Sequence, residues 1–294
     1  METAEQLQQR IESFKDLRSI VSTMKALAAV SIRQYEKAVE ALADYYRTVE
    51  LGLHVALGDR QHPELHRRKN RRLGAIVFGS DHGLCGRFNE DIAAYSLERM
   101  RASPASPEGR LVLVVGARAA AQLEQAGQLV EEDFLVPGSA SRITATVRQI
   151  LLKIDEWRQT SGIEYIYLFY NRHLSSASYQ PTGVQLLPVD LRRFHRQEET
   201  HWPSKVLPTF TMNRQHLLSS LLQQYFFVSI FRACAESQAS EHGSRLAAMQ
   251  AAEKNLDERL DEIITEFRRV RQESITTELL DVVSGFEALT GGKA

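Results

Sequence analysis

The chain has 294 residues, room for one large domain or two modest ones, and 43% of them are hydrophobic, so a sizeable core is within reach. Its net charge of −1 gives no overall pull toward nucleic acid or an anionic membrane, and no run approaches the ~18–20 apolar residues that span a bilayer. Two cysteines, Cys85 and Cys234, form neither a CxxC pair nor a disulfide framework, and METAEQLQQR is neither a signal nor a transit peptide, so a soluble, cytosol-facing protein is expected.

The first segment, residues 1–58, contains no proline and, before Gly58 at its end, a single glycine, Gly52. Its apolar or small positions run Leu7, Ile11, Phe14, Leu17, Val21, Met24, Ala28, Ser31, Tyr35, Ala38, Leu42, Tyr45, Val49. The mean step is about 3.5, the coiled-coil period, which predicts one long helix with a seam for a partner helix. Next comes HRRKNRR (66–72), a basic run without interleaved aromatics. It reads as a solvated connector or a patch for an acidic protein partner rather than a nucleic-acid grip.

Over residues 73–207 the period changes to that of strands. LGAIVFG (73–79), LVLVVG (111–116), EYIYLFY (164–170) and VQLLPVD (184–190) are short, β-branched and aromatic, with FLVPG (134–138) a weaker fifth. NEDIAAYSLERMR, ARAAAQLEQAG and ASRITATVRQILLKIDEWRQT alternate with them as helices, and SPASPEG (103–109) is a surface loop. This alternation predicts a Rossmann-like α/β domain with a mainly parallel, doubly wound sheet. Residues 191–210 form a linker.

The last segment, 210–294, is again free of proline from Asn213 to Ala288, and Asn213 can cap its start. Its stripe runs Leu218, Leu221, Tyr225, Val228, Ala235, Ala239, His242, Leu246, Met249, Leu256, Leu260, Ile263, Phe267, Val270, Ser274. At 1.5 Å per residue this helix spans on the order of 110 Å against about 80 Å for the first. The fold class expected is α/β: an antiparallel two-helix coiled coil from the two ends plus the central domain. The longer helix then extends beyond its mate, and the Ala- and Ser-rich seam keeps the pair thin.

GSDHGLCGRFN (79–89) sits where a phosphate loop would, between a strand and a helix. Its glycines fit neither the Walker A spacing nor G-x-G-x-x-G, and Asp81 carries a negative charge where a phosphate would lie. Glycines for a tight turn and close helix–sheet contact are the reading favoured. Cys85 and His82 lack an orienting acid, so Cys85 is read as a small buried thiol rather than a nucleophile. Nine scattered histidines show no metal spacing; His242 is read as a seam residue and the carboxylates of LDERLDEI as a solvated face. No catalytic residue, cofactor or metal site is expected. A cytosolic nucleotide-dependent enzyme that dimerises through a coiled coil, or a nucleic-acid-binding coiled coil, remain as alternatives.

Four stretches carry a resemblance: TMKALAAVSIRQYEKA, GSDHGLCGRFN, ASEHGSRLAAM and RRVRQESITTELLDVVSGFEAL. Together they resemble the signature regions of the F-type ATP synthase gamma subunit, over nearly the whole chain. The resemblance implies a non-catalytic central-stalk rotor subunit, peripheral to the cytoplasmic face of the membrane. Its partners would be the alpha and beta subunits, the epsilon subunit and the c-ring, with no nucleic acid. Arg271 and Gln272 match the pair that catches a beta-subunit loop, and Thr276 and Glu278 fall in the same terminal region. Arg245 matches a coupling-sensitive arginine, and Met24 and Lys25 match the opposing Met-Lys on the first helix. His82, Arg87 and the lysine-poor DLRSIVSTMKALAAVSI depart from the usual pattern, which points to a divergent, alternate bacterial version of the sodium-translocating type. The ligands of the coupling ion itself lie in other chains.

Overall fold

The computed structural model describes residues 3–57, 72–103, 105–175, 178–190, 194 and 209–290. Most of the basic run 66–72 and of the linker 191–210 lies outside the described residues. In chain order the elements are α1 (Ala4–Leu57), β1 (Leu73–Phe78), α2 (Phe88–Arg101), β2 (Arg110–Val115), α3 (Ala117–Gln125) and β3 (Glu132–Phe134). These are followed by α4 (Ile143–Thr160), β4 (Tyr165–Ser175), β5 (Ser178–Leu187) and α5 (Arg214–Thr290). The chain divides into two compact units, Ala28–Leu246, and Met1–Leu27 with Ala247–Ala294.

In Ala28–Leu246 the sheet order is β3-β2-β1-β4-β5. The first four strands are parallel, with Ile76 opposite both Leu113 and Leu168. β1 is buried along its whole length, as a central parallel strand covered on both faces must be, and its continuous apolar run LGAIVF reflects that. β5 returns antiparallel to β4, and the hairpin is longer than the expected segments, because NRHLS and SYQPTG join it. Their polar character hides the strand from periodicity. Pro181 is tolerated because β5 lies at the sheet edge, where a missing N–H breaks no central ladder. β3 is shorter than FLVPG suggests and sits earlier.

Helices cover both faces. On one, Ile92, Leu97 and Met100 of α2 and Leu123 of α3 pack on Ala75, Val77, Val112 and Val114. On the other, Val147, Ile150, Ile154 and Trp157 of α4 meet Ile76, Leu113, Ile166 and Leu168. Ile230, Ala233 and Cys234 of α5, and Tyr35 of α1, belong to this same core. From Ala233 to Glu241 every residue of α5 is buried, so here the helix is an inner layer of the sandwich. α1 lies antiparallel to it, with Val49, Leu53 and Leu57 packed around Tyr225. The predicted seam slips here. Tyr45 is 44% exposed and Tyr46 packs inward instead, because α5 shares its surface with the sheet and no longer presents a plain two-helix seam.

In the second unit the early part of α1 runs antiparallel to the late part of α5. Leu7 and Ile11 pack on Ile263, supported by Phe14, Leu260, Phe267 and Val270. Arg18 pairs with Asp257 at 2.6 Å, and Lys25 with Glu253. Leu17, expected on the seam, is 49% exposed. Beyond Val270, every residue from Arg271 to Phe286 is exposed.

Candidate functional site

The loop 79–89 is closed by its own side chains. Asn89 Oδ1 accepts from the Ser80 backbone N–H at 2.9 Å, and Asn89 Nδ2 donates to Ser80 Oγ at 2.8 Å. The Asp81 carboxylate accepts from the backbone N–H of Ala117 at 3.1 Å, at the start of α3, and from Val136 at 2.9 Å. Helix N-terminal amides are what a phosphate loop offers its ligand. Here a resident carboxylate takes that place, which is the reading the sequence suggested. Cys85 is buried and burial pushes its thiol pKa up, so the thiolate is disfavoured. His82 offers Cys85 its backbone carbonyl, at 3.7 Å, and not its ring. Among the described residues no group of three or more His, Cys, Asp or Glu side chains could hold a metal ion.

Against this loop lies a polar stretch of α5 that pattern reading passed over. Arg245 Nη2 pairs with Glu241 at 2.7 Å, with side chains only 10% and 6% exposed. Gln238 Nε2 donates to the other Glu241 oxygen at 3.1 Å, and Arg245 Nη2 donates to the Gly83 carbonyl at 3.4 Å. The expected partner contact Arg245 therefore points into the α/β unit. His242 stacks on Tyr35 with ring centroids 5.7 Å apart. The run ESQASEHGSR carried one signal: polar residues recurring on a helix that otherwise shows small, core-like positions.

Burial first, and the Arg245 charge second, push the His242 pKa down to about 4. An unfolded histidine takes up its proton near pH 6.5, so between these values the unfolded state binds more protons. Stability is present above that window and is lost as pH falls through it, by about 3 kcal/mol in all. The stability advantage of the wild type over His242→Gln should shrink between about pH 7.5 and pH 4.5. Thermal unfolding at several pH values checks this; a constant gap would remove His242 as the cause.

The remaining expected site residues lie in the other unit. Met24 is half-buried, and Lys25 is engaged with Glu253. Arg271, Gln272, Thr276 and Glu278 all lie on the exposed end of α5. Neighbouring side chains satisfy themselves along the helix: Arg269 pairs with Glu273 at 2.9 Å, and Thr276 Oγ1 donates to the Gln272 carbonyl at 2.8 Å. Ser274 Oγ donates to Glu278 at 3.4 Å. Arg271 makes no ion pair among the described residues, and its neighbours three and four residues away, Phe267, Arg268, Ser274 and Ile275, include no acid.

The family described as ATP synthase matches residues 3–289. The ATP synthase gamma chain of Anaeromyxobacter sp. (strain Fw109-5) is 30% identical over 297 residues, covering 98% of this chain and all of that one. The chain belongs to the ATP synthase gamma chain family. The gamma chain of Pelotomaculum thermopropionicum is 28% identical, again over 98% of this chain and all of that one. The same fold occurs in the Euglena gracilis mitochondrial ATP synthase, in a solved assembly described as OSCP/F1/c-ring in rotational state 3. That chain has a TM-score of 0.69 and 19% identity, over 99% of this chain and 95% of that one. A chain of the rotor of the same enzyme in rotational state 1 gives a TM-score of 0.65, with 17% identity over 92% and 98%. As a gamma chain, this protein is a non-catalytic, central-stalk subunit of a rotary ATP synthase. Among the described residues of this gamma chain, no helix is long and apolar enough to cross a membrane.

Proposed function

We propose that this gamma chain couples ion-driven rotation of a c-ring to ATP synthesis or hydrolysis at the beta subunits, through the exposed end of α5. The observation that carries this reading is the stretch after Val270. Ile275, Leu279, Leu280, Val282 and Val283 are 49–70% exposed there, and four of them, spaced i, i+4, i+7 and i+8, form one apolar stripe with Leu280 to its side. An uncovered apolar stripe of this kind calls for a partner wall that buries it. The central hole of a ring of alpha and beta subunits offers such a wall. The α/β domain, 73–207, would form the foot beside the epsilon subunit and the c-ring, between the helical segments 1–58 and 210–294. The complex would then lie peripherally on the cytoplasmic face of the membrane.

In this reading Arg271 and Gln272 present their donors to acidic or carbonyl groups of a beta-subunit loop, with Thr276 and Glu278 one to two turns further on. Met24, Lys25 and Arg245 complete the proposed coupling residues. As the helix turns, each beta subunit meets a different side of it, and the binding states of the three shift in sequence. Loss of two charge-assisted contacts of about 1.5–3 kcal/mol each should lower coupled activity roughly tenfold or more. The measurement is ATPase rate and ion pumping by the assembled complex carrying Arg271→Ala with Gln272→Ala. Wild-type rates and wild-type coupling would remove these two residues from the contact.

A further inference from the structure

Within Ala28–Leu246, α5 is gripped by an apolar layer, and dispersion and hydrophobic contacts are non-directional. Such a layer resists separation but sets only weakly the angle of the helix about its own axis. Three hydroxyls supply direction. Ser237 Oγ donates to the Phe78 carbonyl at 3.4 Å, Ser240 Oγ to the Asn171 carbonyl at 2.8 Å, and Ser244 Oγ to the Cys85 carbonyl at 2.6 Å. Their spacing of three and four puts all three on one face of the helix. The acceptors belong to three separate stretches: the end of β1, the middle of β4, and the glycine loop. Arg245 adds a fourth contact, to the Gly83 carbonyl. All four donor residues are buried.

Polar satisfaction alone does not require this arrangement. A helical serine can bond the carbonyl one turn back, and Ser240 has the Glu236 carbonyl at 2.8 Å as well. A serine hydroxyl also reaches only a short distance from the helix axis. Ala235 and Ala239, both buried beside the serines, let the backbone come close enough for that reach to suffice.

We infer that Ser237, Ser240 and Ser244 form a hydrogen-bonded key that fixes α5 in one angular register against the strand ends and the glycine loop. The key carries rotational load from the sheet to the helix. The three serines are thus positioning residues for coupling, and the inference rests on the rotor reading above. Turning the helix by one residue, about 100°, would move every donor off its carbonyl. Removing one buried bond of this kind changes the occupancy of the keyed register by about fivefold.

The test uses the assembled complex in sealed vesicles, with ion pumping normalised to ATP hydrolysed. The triple variant Ser237→Ala, Ser240→Ala, Ser244→Ala should lower that ratio several-fold. Val147→Ala, which opens a cavity in the same core without removing any of the three serine hydroxyls, should keep the wild-type ratio although it unfolds at lower temperature. A wild-type ratio in the triple variant, or an equal drop in Val147→Ala, overturns the key. If the triple variant does not assemble, the single changes Ser240→Ala and Ser244→Ala decide by the same ratio. Failure of the wild-type chain to restore coupled pumping to a complex depleted of its gamma chain would instead overturn the rotor reading itself.

Discussion

Arg245→Ala lowers the stability of the isolated chain by about 3–5 kcal/mol, the cost of breaking a buried ion pair from one side. The guanidinium lies 2.7 Å from the Glu241 carboxylate, and both side chains are nearly sealed from solvent. Burial pushes the Glu241 pKa up, and Arg245 is first among the groups that pull it back down. Without Arg245 only the hydrogen bond from Gln238 still favours the charged form. The carboxyl then takes up a proton at higher pH than before. Because a raised folded pKa gives stability that is present at low pH and lost as pH rises, Arg245→Ala should be least damaging in mild acid. Glu241→Gln combined with Arg245→Met should cost less than Arg245→Ala alone, since no uncompensated charge remains. Denaturant unfolding of the wild type, Arg245→Ala and the double variant is the measurement. An Arg245→Ala chain as stable as wild type would mean that the arginine faces a partner subunit, and that the inward pairing is not what it is for.

Gly116→Ala has the other large effect, roughly 3–5 kcal/mol from backbone strain added to overpacking. Gly116 sits at φ 118°, a conformation that side-chain-bearing residues rarely adopt. A Cβ there would also meet Ser80 N at 2.6 Å and the Gly79 carbonyl carbon at 2.8 Å. Both are backbone atoms of the glycine loop and cannot swing aside as a flexible side chain would. Gly79 is tight for a different reason: its added Cβ would lie 2.2 Å from the Ala119 Cβ, where α3 crosses the end of β1. Gly83, in the same loop, has nothing within 4 Å of an added Cβ. Gly83→Ala should therefore stay within about 0.5 kcal/mol of wild type. Thermal melts of Gly116→Ala and Gly83→Ala test the loop as a packing device. A Gly116→Ala chain with wild-type stability would contradict the contact between the two strand ends.

How much of this was legible differs from residue to residue. β1 could be read directly because LGAIVF is a parallel strand buried on both faces, and such strands are written as unbroken apolar runs. The stripe Leu260, Ile263, Phe267, Val270 was legible for the corresponding reason in a helix. The start of β5 was not, since an edge strand with one polar side and a proline looks like a loop. That the glycine loop lacks the lysine and hydroxyl pair of a phosphate loop was readable directly. That Asp81 caps α3 and holds Val136 was not, because its two donors come from separate parts of the chain.

Periodicity and motif in the sequence alone determined the two long helices, the strand–helix alternation between them and the family. These depend on neighbours three, four or two residues apart, or on a string of residue types. The tertiary structure alone decided that α5 is an inner layer from Ala233 to Glu241 and that Arg245 turns inward to Glu241. It also decided that Ser237, Ser240 and Ser244 meet carbonyls from three different stretches of chain. The physical reason is reach. A hydroxyl or guanidinium bonds whatever acceptor folding brings within about 3 Å, and no local repeat records which distant backbone atom that will be.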